Sequence, residues 1–238
     1  MQEIRIVKMD HFEVPVLISD EKEALLAAQA AGRALVGLWR QGQPMEALAG
    51  VRYVVEDLAD ATDEYLERVA RRHLGLPWKI CETERLRIRE MTERDFELVC
   101  ANRVGPGLET VEQLRSYVKH QYDFYEFGFW ALVEKATGKL VGVAGLLVPE
   151  DRVSVGAAAE DMILLHTGTA GGISEPLELG YHIFPGNRRC GLACEACDAI
   201  LEYGREYLGV DQFVVRIRKD NEASLRVAGK LGFAALNG

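Results

Sequence analysis

A strand, a turn and a long amphipathic helix follow one another over residues 177–209, and this succession constrains the fold more than any other part of the sequence. The stretch "LELGYHIF" (177–184) predicts the strand, and "GLACEACDAILEYGREYLG" (191–209) predicts a helix with one apolar and one polar stripe. The first amide groups of a helix have no acceptor within it. We therefore expect an α/β (α+β) fold in which unpaired N–H groups lie beside the end of a strand.

The turn between this strand and helix contains the pattern R-x-x-G-x-A, formed by Arg188, Gly191 and Ala193. The helix dipole places partial positive charge at the helix start, where a diphosphate can accept hydrogen bonds. Gly191 has no Cβ to keep a phosphate away from the backbone, and Arg188 and Arg189 add positive charge. The pattern alone is weak, but its position between a strand and a helix predicts a pyrophosphate site.

The same stretch contains a second pattern, C-x3-C-x2-C, formed by Cys190, Cys194 and Cys197. This spacing is typical of the iron–sulfur site of radical-SAM enzymes. On a helix, however, Cys194 and Cys197 fall on the inward stripe, where a free cysteine packs as a small apolar residue. The sequence lacks the repeated β-α units of a large barrel, and no fourth ligand stands at zinc spacing. We therefore favour the pyrophosphate site and expect no metal.

Charge and composition limit the partners. The formal net charge of −9 argues against a general nucleic-acid binder. No apolar run approaches the roughly 20 residues of a transmembrane helix, and the charged N-terminus is not a signal peptide. We expect no membrane partner and a cytoplasmic protein whose five cysteines are reduced. Cations are nevertheless concentrated over residues 188–230, as for a polyanion site or, alternatively, a solvated basic face.

The first 76 residues predict a small Rossmann-like βαββ domain followed by a helix, with no chemistry assigned to it. Pro77 prevents the last helix from continuing, so residues 77–82 are expected to form a linker. The predicted elements are strands over 13–19, 33–39 and 51–57, a helix over 20–32 with Asp20 as N-cap and Gly32 as its end, and a helix that starts at Thr62 or Asp63.

Residues 83–238 predict a second, α+β domain. Residues 149–176 are long and rich in small residues, which is typical of a functional or disordered loop. The other predicted elements are a strand over 85–91, a helix over 92–103 that begins with a Thr92–Asp95 capping box, a helix over 110–127, a hairpin over 127–148, a strand over 212–218 and a helix over 221–233.

Three stretches in order resemble the GNAT superfamily of N-acetyltransferases, and among them the Rim-type group that acetylates ribosomal-protein N-termini. They are "ETERLRIREMTERD", "LELGYHIFPGNRRCGLACEA" and "VVRIRKDNEASLRVAGKLGF", and the resemblance covers about 82–236. It implies a mixed, twisted sheet whose fourth and fifth strands splay apart. It also implies acetyl-CoA as cofactor, with the pantetheine arm lying in the gap between those strands.

The resemblance further implies which residues contact the cofactor. The arm would run beside the fourth strand, the pyrophosphate would bind the backbone of the turn, and Asn221 and Ser224 would lie near the arm and the sulfur. Asn221 is alternatively a plain N-cap. The implied cofactor-binding residues are Tyr181, His182, Ile183, Arg188, Arg189, Cys190, Gly191, Leu192, Ala193, Asn221 and Ser224.

The implied reaction is acetyl transfer to a primary amine, a protein N-terminus or a small amine, by direct attack in a ternary complex. Only the neutral amine is nucleophilic, so a base is needed. Glu178 on the fourth strand is the candidate, although it is alternatively a surface glutamate. Many relatives have a tyrosine as thiol proton donor where this chain has Ala228. Ser224 is then the candidate donor.

Two departures from the family leave alternatives open. The missing tyrosine fits a second hypothesis, a non-catalytic acyl-CoA-binding regulatory module. The family also has one or two strands after "KLGF", whereas this sequence ends at Gly238. We expect either that a second subunit completes the sheet, as in a homodimer, or that the acceptor site is open.

Overall fold

The computed structural model divides into two compact units, Met1–Trp78 and Lys79–Gly238. It describes residues 1–9, 11–48, 50–105, 107–149, 162–168 and 175–235. Both units combine a sheet with helices, so the predicted mixed α/β fold class is confirmed. The helices in these ranges include none with the length and apolar content to span a lipid bilayer.

The first unit is a four-stranded sheet with a helix on each face of its central strands. Its strands stand in sequence order; the first pair is antiparallel and the others are parallel. Helix α2 covers a core formed by alternate residues of the parallel strands. The elements are β1 (Gln2–Met9), β2 (Phe12–Ser19), α1 (Lys22–Ala30), β3 (Ala34–Leu38), β4 (Val54–Val55) and α2 (Asp63–His73), with 3₁₀ turns at Met45–Leu48 and Leu58–Asp60.

Three details of this unit correct the sequence prediction. Strand β1 was not predicted, because its isoleucines Ile4 and Ile6 point to solvent and alternate with charged residues that face inward. Asp20 is not the N-cap of α1; Glu21 occupies that position, and the Asp20 carboxylate pairs with the Met1 amine and with Arg40. Strand β4 has two residues where seven were expected. The start of α2 at Asp63, capped by Thr62, is confirmed.

The second unit is a seven-stranded sheet in the order β5-β6-β7-β8-β10-β11-β9. The predicted Thr92–Asp95 capping box and the β7–β8 hairpin are confirmed. The strands are β5 (Lys79–Glu82), β6 (Leu86–Glu90), β7 (Phe129–Glu134), β8 (Leu140–Leu147), β9 (Met162–Gly168), β10 (Leu177–Ile183) and β11 (Gln212–Arg218). The helices are α3 (Phe96–Ala101), α4 (Val111–Tyr125), α5 (Leu192–Glu206) and α6 (Glu222–Lys230), with 3₁₀ turns at Glu93–Asp95 and Pro185–Asn187.

The segment predicted as a linker is largely a strand. Lys79–Glu82 forms β5, which pairs antiparallel with β6 across a bulge after Lys79. The prediction over 77–82 was wrong for these residues because a short strand after a proline has little local signal. Its stability comes instead from the neighbouring strand, and Ile80 is buried.

The predicted long loop over 149–176 also contains a strand. Met162–Gly168 forms β9, which pairs antiparallel with the whole of β11. Residues 150–161 and 169–174 of that prediction lie outside the described residues. The outer edge of β11 is therefore paired with a strand of the same chain.

The splay between the fourth and fifth predicted strands is visible in the register. β10 pairs with β8 along its length from Glu178 to Ile183. On its other side β10 pairs with β11 only through Leu177–Phe213 and Glu178–Val214. Beyond Glu178 the two parallel strands separate, and the backbone of β10 toward β11 has no strand partner. We call this separation the gap, and the pair Glu178–Val214 its vertex.

Candidate active site

A cavity of about 970 Å³ lies where β10 ends and where α5 and α6 begin. It contains all but two of the predicted site residues; Glu178 and Cys190 do not line it. The lining residues are Tyr181, His182, Ile183, Asn187, Arg188, Arg189, Gly191, Leu192, Ala193, Cys194, Asp220, Asn221, Glu222, Ala223, Ser224, Arg226, Val227 and Lys230.

Helix α5 begins at this cavity without a side-chain cap. Its N-cap is Gly191, whose φ of 82° is in the left-handed region that favours glycine. Within the described part of the chain, the amide groups of Leu192, Ala193 and Cys194 have no acceptor. Arg189 also has a left-handed φ of 64°. Such alternation turns successive N–H groups toward one concave side, which is a common anion-binding geometry.

The turn is held in place by a side chain that sequence reasoning missed. The Arg85 guanidinium donates hydrogen bonds to the Cys190 carbonyl oxygen at 2.8 Å and to Glu195 Oε2 at 2.6 Å. Glu195, in the first turn of α5, also accepts from the Thr83 hydroxyl and the Arg85 amide. Burial raises the pKa of Glu195, but the hydrogen bonds from Thr83 and Arg85 outweigh it and lower that pKa. These contacts bridge some 110 positions of sequence, so no local pattern revealed them.

Arg188 is turned back onto the strand. Its Nε donates to the Ile183 carbonyl oxygen at 2.7 Å, which fixes the guanidinium at the cavity wall. Burial lowers the pKa of the neighbouring His182, and the positive charge of Arg188 lowers it further. The His182 imidazole is therefore neutral at pH 7.

The start of α6 forms the opposite wall. The Asn221 side-chain oxygen accepts from the Ser224 amide at 3.2 Å, so Asn221 is the N-cap of α6 as the alternative interpretation stated. The Tyr181 hydroxyl donates to the Ser224 carbonyl oxygen at 3.3 Å. Burial raises the pKa of Tyr181 to about 12, so its hydroxyl keeps its proton. Ser224 itself lines the cavity.

The three cysteines of the C-x3-C-x2-C pattern have three different environments. Cys190 is exposed, Cys194 is half-buried and Cys197 is buried. The prediction that Cys194 packs in the core was wrong, because Cys194 lines the cavity. Burial raises the pKa of the Cys197 thiol far above its usual value. Among the described residues, no group of three or more histidine, cysteine or acidic side chains could hold a metal ion.

Glu178 lies outside the cavity and is already occupied. Both its carboxylate oxygens accept hydrogen bonds from the Arg216 guanidinium, at 2.7–3.0 Å. The Glu178 side chain is only 15% exposed. β10 has no bulge, so Glu178, Gly180 and His182 share one face of the sheet, as predicted. The Phe129 ring lies so close to Gly180 on this face that a Cβ there would come within 2.8 Å of it.

His166 belongs to the segment 149–176, which the sequence predicts as a loop, and the structure places it in a strand instead. It lies in β9, where it opposes Val214 of β11, and its backbone N–H and C=O both bond to Ala234. Its side chain is half-buried. The stretch "MILLHTG" contains an apolar run that could have signalled this strand, but its small-residue flanks favoured a loop.

A sequence profile described as "Acetyltransferase (GNAT) domain" matches residues 85–234. This match covers more than half of the chain, and the chain therefore belongs to the GNAT family of acetyltransferases. The resemblance found in the sequence is thus confirmed. Acetyl-CoA is the acyl donor of this family and is the cofactor of this protein.

The individual proteins that this chain resembles share only a small fraction of its sequence. The uncharacterized N-acetyltransferase YoaA of Bacillus subtilis (strain 168) is 27% identical over 168 residues, which are 65% of this chain and 82% of YoaA. The chain is also similar to the ribosomal-protein-S5-alanine acetyltransferase of Vibrio fischeri (12% identity, 67% and 83% of the two chains, TM-score 0.47). It is similar as well to the spermidine N-acetyltransferase of Vibrio cholerae in complex with CoA and spermine (15% identity, 63% and 81%, TM-score 0.47).

Proposed function

We propose that this protein acetylates a primary amine, either a protein N-terminus or a small amine, which attacks acetyl-CoA directly in a ternary complex. The observation that carries the proposal is the uncapped start of α5. Its unpaired amide groups line the same cavity as Arg188, Arg189, Arg226 and Lys230. Amide donors, a helix dipole and cations at one place suit a molecule with several phosphates.

The residues of the turn would hold the pyrophosphate. The amides from Arg189 through Ala193 include Cys190, whose side chain is exposed and whose proposed contribution is its backbone N–H. Gly191 matters because its conformation opens the helix start, and a negatively charged ligand there gains about 0.3–2 kcal/mol from the helix terminus. Arg188 is held beside these amides by its bond to the Ile183 carbonyl oxygen.

The gap between β10 and β11 would hold the pantetheine arm. Beyond Glu178, the β10 edge that faces β11 has no strand partner, so the N–H groups of Tyr181 and Ile183 and the Tyr181 C=O are available to the amides of the arm, whereas the Ile183 C=O accepts from Arg188. His182 directs its backbone groups toward β8 and lines the cavity. Asn221 and Ser224 stand on the opposite wall. This arrangement supports the assignment of these five residues as cofactor contacts.

When bound, acetyl-CoA supplies a thioester whose carbonyl carbon accepts the amine. A strand N–H, such as that of Ile183, would stabilise charge on the carbonyl oxygen, and the Ser224 hydroxyl would give a proton to the departing sulfur. Glu178 was our candidate base. Because both its oxygens accept from Arg216, we propose that it positions the vertex and acts on the amine only if this ion pair opens.

Two measurements test the proposal on the full chain. Acetyl-CoA and CoA at 100 times their Kd should stabilise the protein by about 2.7 kcal/mol, seen as a higher melting temperature. Free thiol should then be released from acetyl-CoA in the presence of primary amines such as spermidine or the tripeptide Ala-Ala-Ala. If neither ligand stabilises the protein, the cofactor site is wrong.

Glu178→Gln separates the roles of Glu178. We expect kcat to fall about tenfold while the Kd of acetyl-CoA is unchanged, because the residue lies outside the cavity. The control is Glu82→Gln, which removes the partner of Arg87 on β6, an exposed ion pair of the same sheet. Unchanged turnover in Glu178→Gln would dismiss Glu178 from the reaction altogether.

A non-catalytic acyl-CoA-binding module is the second candidate. Two observations favour it: the carboxylate of Glu178 is occupied, and Ala228, at the position of the family's tyrosine, is buried and carries no proton donor. This function predicts stabilisation by acetyl-CoA with no thiol release above background hydrolysis across the amine panel.

A further inference from the structure

The vertex of the gap carries a second ionisable side chain besides Glu178. Across the sheet, Glu178 of β10 opposes Val214 of β11, and Val214 opposes His166 of β9. These three residues form one row that crosses the point where β10 and β11 separate. The strand that contributes His166 comes from the segment that the sequence had predicted as a loop.

All three side chains lie on the same face of the sheet. Opposed residues of paired strands point to the same side. The Arg216 side chain reaches Glu178 and, two residues beyond Val214 on β11, shares its face. Thr167, the next residue of β9, faces the other side, where it lies near Gly232. Glu178 and His166 thus flank the small side chain of Val214 from either side.

The backbone fixes His166 firmly in this row. Its N–H donates to the Ala234 carbonyl oxygen at 2.8 Å, and its C=O accepts from the Ala234 amide at 2.9 Å. Both groups therefore point away from β11, so His166 and Val214 form a non-hydrogen-bonded pair. Such pairs have the shorter Cα separation, about 4.5 Å, and bring their side chains close together.

The chemistry of the row distinguishes its two ionisable groups. The charge of Glu178 is compensated by Arg216, and Arg218, on the same face, is paired with Asp220. The His166 imidazole has no hydrogen-bond or ion-pair partner among the described residues. Burial lowers its pKa, so the ring is neutral at pH 7 and can accept a proton.

We propose that His166 accepts the proton of the acceptor amine. The inference rests on the proposed function and identifies the base that the occupied Glu178 does not supply. The acceptor nitrogen forms a bond to the acetyl carbonyl carbon, and the carbon–sulfur bond breaks with its electron pair going to sulfur. The proton lost by the nitrogen goes to the imidazole, which releases it to solvent. The sulfur takes its proton from the Ser224 hydroxyl, which regains one from solvent, so that one acetamide and one thiol result.

Affinity labelling tests the position of His166 without requiring turnover. In bromoacetyl-CoA, an imidazole nitrogen near the reacting group can displace bromide and form a stable bond to carbon. The experiment uses the full chain in a Cys194→Ala background, so that the thiol in the cavity does not compete. We expect labelling of His166 by mass spectrometry, prevented by excess acetyl-CoA and absent in His166→Gln. Thr167→Ser, on the opposite face of the same strand, should label as the parent does.

Kinetics test the role of His166 in proton transfer. His166→Ala should lower kcat by about 100-fold, as is typical for loss of a general base, while the Kd of acetyl-CoA and the melting temperature stay close to those of the parent. Added imidazole should restore part of the rate in His166→Ala and have no effect on the parent or on Thr167→Ser. Rescue of this kind does not occur for a residue that only supports the fold.

The possible failures are distinguishable. If acetyl-CoA does not stabilise the parent, the proposed function fails. If it binds but bromoacetyl-CoA labels another residue or none, His166 is not at the reacting carbon and this inference is wrong. Full activity of His166→Ala would overturn it in the same way, even if labelling succeeded. Binding and His166 labelling without amine turnover would leave the imidazole at the site but refute its role as a base.

Discussion

Helices α4 and α5 are both 15 residues long, yet their N-termini differ in every respect. At α4 the Thr110 hydroxyl accepts from the Gln113 amide, and the Gln113 side chain accepts from the amides of Glu109 and Thr110. At α5 the N-cap is a left-handed glycine with no side chain to offer. A capped start contributes stability to the helix, whereas an uncapped start facing a cavity leaves its donors to a ligand.

Gly191→Glu tests the uncapped start of α5 and should have the largest effect on CoA binding. A carboxylate at the start of α5 would occupy the donors and repel phosphate, so we expect the Kd of CoA to rise about 100-fold or more, a loss of about 2.7 kcal/mol. The matched control is Gly209→Glu, because Gly209 also has a left-handed φ, of 66°, and open space around it, but lies outside the cavity.

Both glycine variants carry the same backbone cost of about 1–2 kcal/mol. Titration calorimetry with CoA, together with thermal melting, separates that cost from the loss of the site. Normal affinity in Gly191→Glu would mean that α5 does not bind the pyrophosphate at its N-terminus.

Arg85→Ala should give an intermediate effect. The substitution removes the bonds to the Cys190 carbonyl and to Glu195, so the turn before α5 would no longer be held open. We expect the Kd of CoA to rise about tenfold, which corresponds to about 1.4 kcal/mol. Arg87→Ala, two residues further on in β6, removes an exposed ion pair with Glu82 and should leave the Kd unchanged. If both substitutions raised the Kd of CoA equally, the weaker binding would come from the loss of a positive charge and not from the turn before α5.

Thr110→Ala should give the smallest effect on binding and tests the capped side of the comparison. Loss of the cap should lower the free energy of unfolding by about 1 kcal/mol, seen as a melting temperature lower by about 2–4 °C. The Kd of CoA should not change, because α4 contributes nothing to the cavity lining. A weaker Kd would show that the two helix starts are coupled.

The contrast also explains what the sequence could reveal. The helix α5, its glycine and the preceding strand all have local signals, namely an apolar stripe, a turn and a short apolar strand, so this part of the site was predictable. Strands β5 and β9 have little signal of their own and are stabilised by neighbours, β9 by a partner some 50 positions later in the chain. Propensity does not detect such pairing, because the stabilising contacts lie outside the window that it examines.

The individual side chains of the site likewise divide into those with a local sequence signal and those whose contacts join distant segments. Asn221 was recognised because an N-cap acts within three residues. The link from Arg85 to Glu195 and the ion pair of Glu178 with Arg216 join distant segments, so they became visible only in three dimensions. Periodicity placed Cys194 in the core, but Cys194 belongs to the first turn of α5, and that turn lines the cavity.

The position of β9 also has a kinetic consequence. The strand precedes β10 in the chain but lies at the far side of β11, and Ala234 holds it from its other edge. It can be fixed only after the segments on both sides of it have formed, and non-local pairings of this kind form slowly. We expect the pyrophosphate cradle to be competent early in refolding, and the face that carries His166 to mature last.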